Sequence, residues 1–103
     1  MSNLLEVDGK LVVRTTTDFY IVEFWAGDEH ADIEYINRWS SFMSMLARDY
    51  MGMQGDCKLV VEKTTEDDTV KVVLVKGKKR LWVRSEHPKS GYIRFLMERF
   101  GGV

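Results

Sequence analysis

Between Phe19 and Trp25, six of seven side chains are apolar or aromatic, with only Glu23 interrupting. A strand with one face in water alternates, so an unbroken run of this length is expected of a central strand covered on both faces. Upstream, Leu4 to Val7 and Lys10 to Thr15 flank Asp8-Gly9. That dipeptide supplies the positive φ angles of a type I′ turn, and the three pieces together predict a hairpin. Downstream, Ala26-Gly27 breaks the apolar run, and Asp28 or Asp32 is placed to accept the free N–H groups of a helix start. Ile33, Ile36, Trp39, Phe42, Met43, Leu46 and Tyr50 then recur at three- and four-residue spacing to about Met51. This predicts one long helix ended by Gly52 and Gly55. Met43, Met45, Met51 and Met53 read as core filler, the other use of such flexible side chains being an adaptable docking surface.

The next stretch predicts a three-stranded meander, Lys58 to Thr64, Thr69 to Lys76 and Lys79 to Arg84, with Gly77-Lys78 as a two-residue hairpin loop. That loop pairs Val75 with Arg80, Leu74 with Leu81, Val73 with Trp82, Val72 with Val83 and Lys71 with Arg84. The loop Thr65-Glu66-Asp67-Asp68 pairs Val61 with Val72 and Leu59 with Leu74. One face then holds Leu59, Val61, Val70, Val72, Leu74, Leu81 and Val83 and reads as core. The other holds Lys58, Val60, Glu62, Lys71, Val73, Val75, Arg80, Trp82 and Arg84. His87-Pro88 is suited to open a last helix, since proline is tolerated in a first turn. Ile93, Leu96, Met97 and Phe100 form its stripe, and Gly101 is its cap.

The sum is an α+β fold: an antiparallel sheet of about five strands with one long and one short helix, in the order β-β-α-β-β-β-α. The 103 residues, 45% of them apolar, suit a single domain with one modest core. No internal repeat or linker is visible in the residues. Apolar stretches such as Phe19 to Val22 and Val72 to Val75 fall far short of the roughly 20 residues a membrane-crossing helix needs. With no basic-then-apolar leader pattern and a lone Cys57, which reads as a small packing residue, the expected compartment is cytoplasmic.

Charge changes this picture more than composition does. Residues 1 to 70 carry six basic and fourteen acidic side chains, a sum of −8, whereas from Lys71 onward nine basic residues face only Glu86 and Glu98, a sum of +7. The overall charge of −1 hides two poles, and a basic pole attracts phosphates or an acidic partner.

Little supports catalysis. His30 and His87 are the only histidines, and no H-E-x-x-H or other zinc-ligand spacing occurs. Acidic loop runs such as Asp28-Glu29 and Glu66-Asp67-Asp68 read as solvated turns, and no P-loop, G-x-S-x-G or dinucleotide-binding glycine pattern is present. No catalytic residue, metal ligand or cofactor is assigned. Gly101-Gly102 resembles the diglycine tail of ubiquitin-like modifiers, but it follows a helical stripe and reads as a cap.

The outer face of the meander is the candidate site. Val60, Val73, Val75 and Trp82 make an apolar centre ringed by Lys58, Lys71, Arg80 and Arg84, with Lys76, Lys78 and Lys79 at the hairpin tip and Lys89 and Arg94 in the last helical segment. On a nucleic-acid reading, these cations neutralise phosphates and Trp82 stacks an unpaired base. On the structural reading, the same tryptophan and valines lie under the long helix, and the basic tip merely guards an edge strand. The helix, three strands, helix order is similar to that of double-stranded RNA-binding domains and of the small Alu-RNA-binding subunits of the signal recognition particle. With two strands added in front, it is similar to profilin-like, roadblock and longin domains, which are mainly protein-interaction scaffolds. Both are likenesses of element order only, and fold order does not fix function. The leading expectation is a small non-enzymatic nucleic-acid-binding protein, for RNA or single strands. The alternative is a regulatory protein-interaction module, a homodimer or the captor of an acidic protein partner, using the same surface.

Overall fold

The computed structural model, which describes residues 3–64 and 68–101, has the order β1 (Asn3–Thr15), β2 (Phe19–Ala26), β3 (Glu29–Asn37), α1 (Ser41–Met51), β4 (Gly55–Lys63), β5 (Val70–Lys76), β6 (Lys79–Glu86) and α2 (Gly91–Phe100). The α+β class holds, with six strands rather than five, in the order β3-β2-β1-β4-β5-β6. The likeness to profilin-like, roadblock and longin order fails, because a third strand precedes α1. The segment from α1 to α2 keeps the helix, three strands, helix order, but its strands share a sheet with three others.

Two local readings differ from the structure, one merging two predicted strands and the other adding β3. The predicted hairpin at Asp8-Gly9 is one continuous strand of 13 residues. Gly9 does not have positive φ, and a Cβ placed there would lie 2.2 Å from the Trp25 carbonyl oxygen and 2.7 Å from the Phe24 ring, so the glycine serves a close approach of two strands rather than a turn. The front of the predicted long helix is β3. Ile33, Ile36 and Trp39 have helical spacing, but Asp32, Ile33, Glu34 and Tyr35 alternate with period two, and their β-branched and aromatic members favour a strand. Gly27, at φ 65°, begins a two-residue turn that pairs Ala26 with Glu29, so Asp28 belongs to a hairpin and not to a helix cap. The helix starts at Ser40, whose Oγ accepts from the Met43 N–H, and it is only 11 residues long against 10 for α2. α2 is likewise capped by Ser90, whose Oγ accepts from the Ile93 N–H, so His87-Pro88 precedes the helix instead of opening it. Gly52 and Gly101 are the two C-terminal caps.

The chain divides into two compact units, residues 8–57 and residues 1–7 with 58–103. In the first, the β1–β2–β3 meander packs α1 against β2 and β3. Leu11, Val22, Phe24, Ile36, Ala47 and Tyr50 are buried there, and Tyr50 donates from its hydroxyl to Glu34 Oε2 at 2.6 Å. In the second, the β4–β5–β6 meander buries Leu59, Val61, Val70, Val72 and Leu74 together with Ile93 and Leu96 of α2. Val61 pairs Val72 and Leu59 pairs Leu74, as the turn chemistry requires. Cys57 is buried. The predicted loop from Thr65 to Asp67 lies outside the described residues.

The two units repeat one plan. Each runs three antiparallel strands and then a serine-capped helix. The pairs Tyr20↔Ile36 and Ala26↔Glu29 recur 50 positions on as Val70↔Glu86 and Lys76↔Lys79. Both meanders shift register once between their second and third strands, at Phe24/Trp25 and at Val72/Val73. Residue identity survives at only a few equivalent positions, among them Gly27/Gly77 and Ser40/Ser90, because packing and turns need a residue class and not a particular residue. Charge is inverted between the copies. Residues 8–57 hold four basic and nine acidic side chains, net −5, while residues 1–7 with 58–103 hold eleven basic and seven acidic ones, net +4.

Candidate interaction surfaces

The register shift in β6 redistributes the basic residues expected on one face. Val73 pairs Trp82, but past the bulge Val72 pairs Arg84 and Lys71 pairs Ser85, in place of the expected Val83 and Arg84. Arg84 therefore lies on the core side of the meander, where its guanidinium sits 4.5 Å from the Tyr92 ring centroid of α2. Lys89 lies in the turn before α2 and Arg94 within the helix. Lys76 and Lys79 pair with each other at the tip, with Lys78 in the turn. Only Lys71, Arg80 and Trp82 of the nine candidates share the outer face.

That face is organised by an ion pair. Arg80, in the row Lys58–Val75–Arg80, reaches across the row Val60–Val73–Trp82 to the Glu62 carboxylate in the next row. Val60, Val73 and Glu62 are buried on this face, while Trp82 at the strand edge is 59% exposed. Trp82 is thus not core. A separate hollow beside α2 is bounded by Lys63, Asp68, Thr69, Val70, His87, Pro88 and Lys89.

The acidic unit contains an ion cluster that the sequence reading did not single out. Glu23, the one charge in the apolar run of β2, is 5% exposed and lies between Arg14 Nε at 2.8 Å and His30 Nε2 at 2.7 Å. Trp25 lies against His30 with ring centroids 3.7 Å apart and the rings tilted by 45°. Burial pushes the Glu23 carboxyl up, but hydrogen bonds and charge from Arg14 and His30 outweigh it and hold the group below its ordinary range. The cluster clasps a buried carboxylate. Among the described residues, no group of three or more His, Cys, Asp or Glu is placed to hold a metal ion.

An exposed apolar surface on α1 was also missed. Met43, Ala47 and Tyr50 turn one side of the helix inward, while Phe42, Met45 and Leu46, which neighbour one another at three- and four-residue spacing, form a second apolar side facing outward. Trp39, just before the cap, is 76% exposed, with Phe42 at 69% and Met45 at 64%. Trp39 is held in place by its indole N–H, which donates to Asp18 Oδ1 at 3.0 Å. The signal was present in the sequence as two stripes on one helix, but counting all of them as one stripe hid it. Met53 is core filler, as expected of the methionines, whereas Met45 is not.

No family model, curated protein or solved structure matches the chain. No helix among the described residues is long and apolar enough to cross a membrane.

Proposed function

We propose that this chain is a non-enzymatic protein-interaction module that docks a partner on the outer side of α1. One observation carries the reading: α1 is apolar on both sides, and only one side is covered. Single-chain proteins seldom leave Trp, Phe, Met and Leu contiguous in water. Aromatic residues and methionine are also the types enriched at the centres of protein interfaces. The test is site-specific photo-cross-linking in cells that express the protein. A cross-linker at Met45 is expected to trap a defined protein, one at Glu98 is not, and Phe42→Asp is expected to abolish the Met45 product. Identical cross-linking patterns from Met45 and Glu98, or a Met45 product that survives Phe42→Asp, would rule out α1 as the docking surface.

A second reading, single-stranded nucleic-acid or RNA binding, is favoured by Trp82, an exposed aromatic plane on the basic unit with Lys71 and Arg80 on its face and Lys76, Lys78 and Lys79 at the adjoining tip. Arg80 is engaged with Glu62, and Lys71, Lys78 and Lys79 meeting phosphates would give a log–log salt slope of about −2 on single strands. Anisotropy titrations with mixed-sequence RNA and DNA at several salt concentrations measure it. An affinity independent of salt would exclude this reading.

A further inference from the structure

The charge inversion between the two units falls on the two strands that end the sheet. β3 and β6 each have one neighbour in the strand order, over lengths of nine and eight residues. A strand with one neighbour presents a backbone ladder that another strand can extend, and proteins control which strand does so with charge. β3 carries Glu29, Asp32 and Glu34 with no Lys or Arg, Glu34 being bonded to Tyr50. β6 carries Lys79, Arg80 paired with Glu62, and Arg84 against Tyr92, with the single acid Glu86. The tips Asp28-Glu29 and Lys78-Lys79 therefore set the sign each edge presents. Two β3 edges would bring acid to acid, and two β6 edges would bring together two strands of net positive charge. By net charge, β3 against β6 is the attractive combination.

We propose that β3 of one copy adds to β6 of a second copy, in parallel, giving a head-to-tail assembly. Direction follows from where the charges lie along each strand. Both strands leave a hairpin turn, Gly27-Asp28 for β3 and Gly77-Lys78 for β6. Parallel addition brings the tip Asp28-Glu29 to the tip Lys78-Lys79 and sets Glu86 near Arg38, which follows β3. Antiparallel addition would set Glu29 beside Glu86 and leave the lysines facing Asn37. The exposed Ile33 and Tyr35 on β3 and Trp82 on β6 add apolar contact to the backbone bonds. Because the two patches differ, the contact is heterologous: it repeats from copy to copy rather than closing as a symmetric pair. This surface is separate from α1, so the proposal does not depend on the docking reading above.

Sedimentation equilibrium of the full chain and of tip-reversed variants tests it. The wild type is expected to grow in average mass with concentration and to dissociate as salt rises from about 0.05 M to about 0.5 M. Asp28→Lys with Glu29→Lys makes both tips basic, and Lys78→Glu with Lys79→Glu makes both tips acidic. Each variant alone should assemble about tenfold more weakly or worse. An equimolar mixture of the two should assemble again, as should the chain carrying all four changes. Phe42→Asp with Met45→Asp should leave assembly intact. Circular dichroism on each variant separates loss of assembly from loss of fold. A wild type that stays monomeric at about 1 mM in low salt, a reversed variant that assembles like wild type, folded reversed variants that fail to rescue each other on mixing, or dissociation by the α1 changes would each overturn the proposal.

Discussion

Trp82→Ala separates an edge platform from a core residue, and its cost can be worked from exposure. Trp82 is 59% exposed, which leaves 41% of its surface covered. A fully buried tryptophan removes up to about 250 Å² from water, so the covered part is about 100 Å². At about 25 cal/mol per Å² that corresponds to about 2.5 kcal/mol as an upper bound. Alanine keeps the Cβ, and the unfolded chain already shields some surface, so the expected loss of stability is about 1–2 kcal/mol. No cavity contribution enters, because water fills the vacated edge. A core tryptophan would instead cost about 3–5 kcal/mol. The assay is the urea midpoint of wild type and mutant by far-ultraviolet circular dichroism at equal slope, which avoids the fluorescence of Trp25 and Trp39. If bases stack on Trp82, the same mutant also loses about 1–3 kcal/mol of affinity for single strands, roughly 5- to 150-fold in Kd, and Trp82→Phe recovers most of it. A stability loss above about 3 kcal/mol would refute the edge position, and an unchanged affinity would refute stacking.

Three further outcomes follow from the same geometry. Gly9→Ala forces a methyl group to within 2.2 Å of the Trp25 carbonyl oxygen and against the buried Phe24 ring, so it should cost about 1–3 kcal/mol or more by denaturant midpoint. A change below about 0.5 kcal/mol would mean that the strands do not approach as described. Because the Glu23 carboxyl is held below its ordinary value of 4.5, its contribution is complete above that pH and is lost as pH falls through the lowered folded-state value. Glu23→Gln should therefore lower stability at pH 7 by about 1 kcal/mol and flatten the acid limb of a stability-versus-pH curve, whereas an unchanged limb would remove Glu23 from the account. Lys78→Glu with Lys79→Glu should leave the fold intact, since both residues lie on or beside a turn, and should sharply weaken any single-strand binding in filter assays, with undiminished binding excluding the tip as the contact.

The sequence legibly encodes what backbone chemistry dictates locally. Gly77-Lys78 sets the β5–β6 tip, Thr69 to Lys76 reads as a strand because its apolar residues face both sides, and Gly52 and Gly101 mark helix ends. It fails where one spacing serves two periods. Ile33 and Ile36 are three apart on a helix and equally at home on a strand with Tyr35 between them, and only the Gly27 turn, set by a φ of 65°, decides for the strand. The bulge that carries Arg84 to the core side has no local marker, since Trp82-Val83-Arg84 reads the same with or without an extra residue. For that reason, the candidate basic face could be listed by residue type yet not assembled by counting.

The inverted charge of the two repeats bears on how the expected homodimer would have to form. Were the acidic and basic halves merely solubility devices, either sign would serve on either edge strand, and a mixed pattern on each would protect best. Instead, β3 has acids only and β6 has three bases with one acid, placed near its end. By net charge, such sorting disfavours the symmetric edge-to-edge pair that a homodimer built on one strand requires. The outer side of α1, with Phe42, Met45 and Leu46 uncharged, is a surface without sorted charge open to a symmetric dimer. A dimer abolished by Phe42→Asp but indifferent to reversal of either tip would place self-association on α1, and the sorted edges would then act only to keep like strands apart.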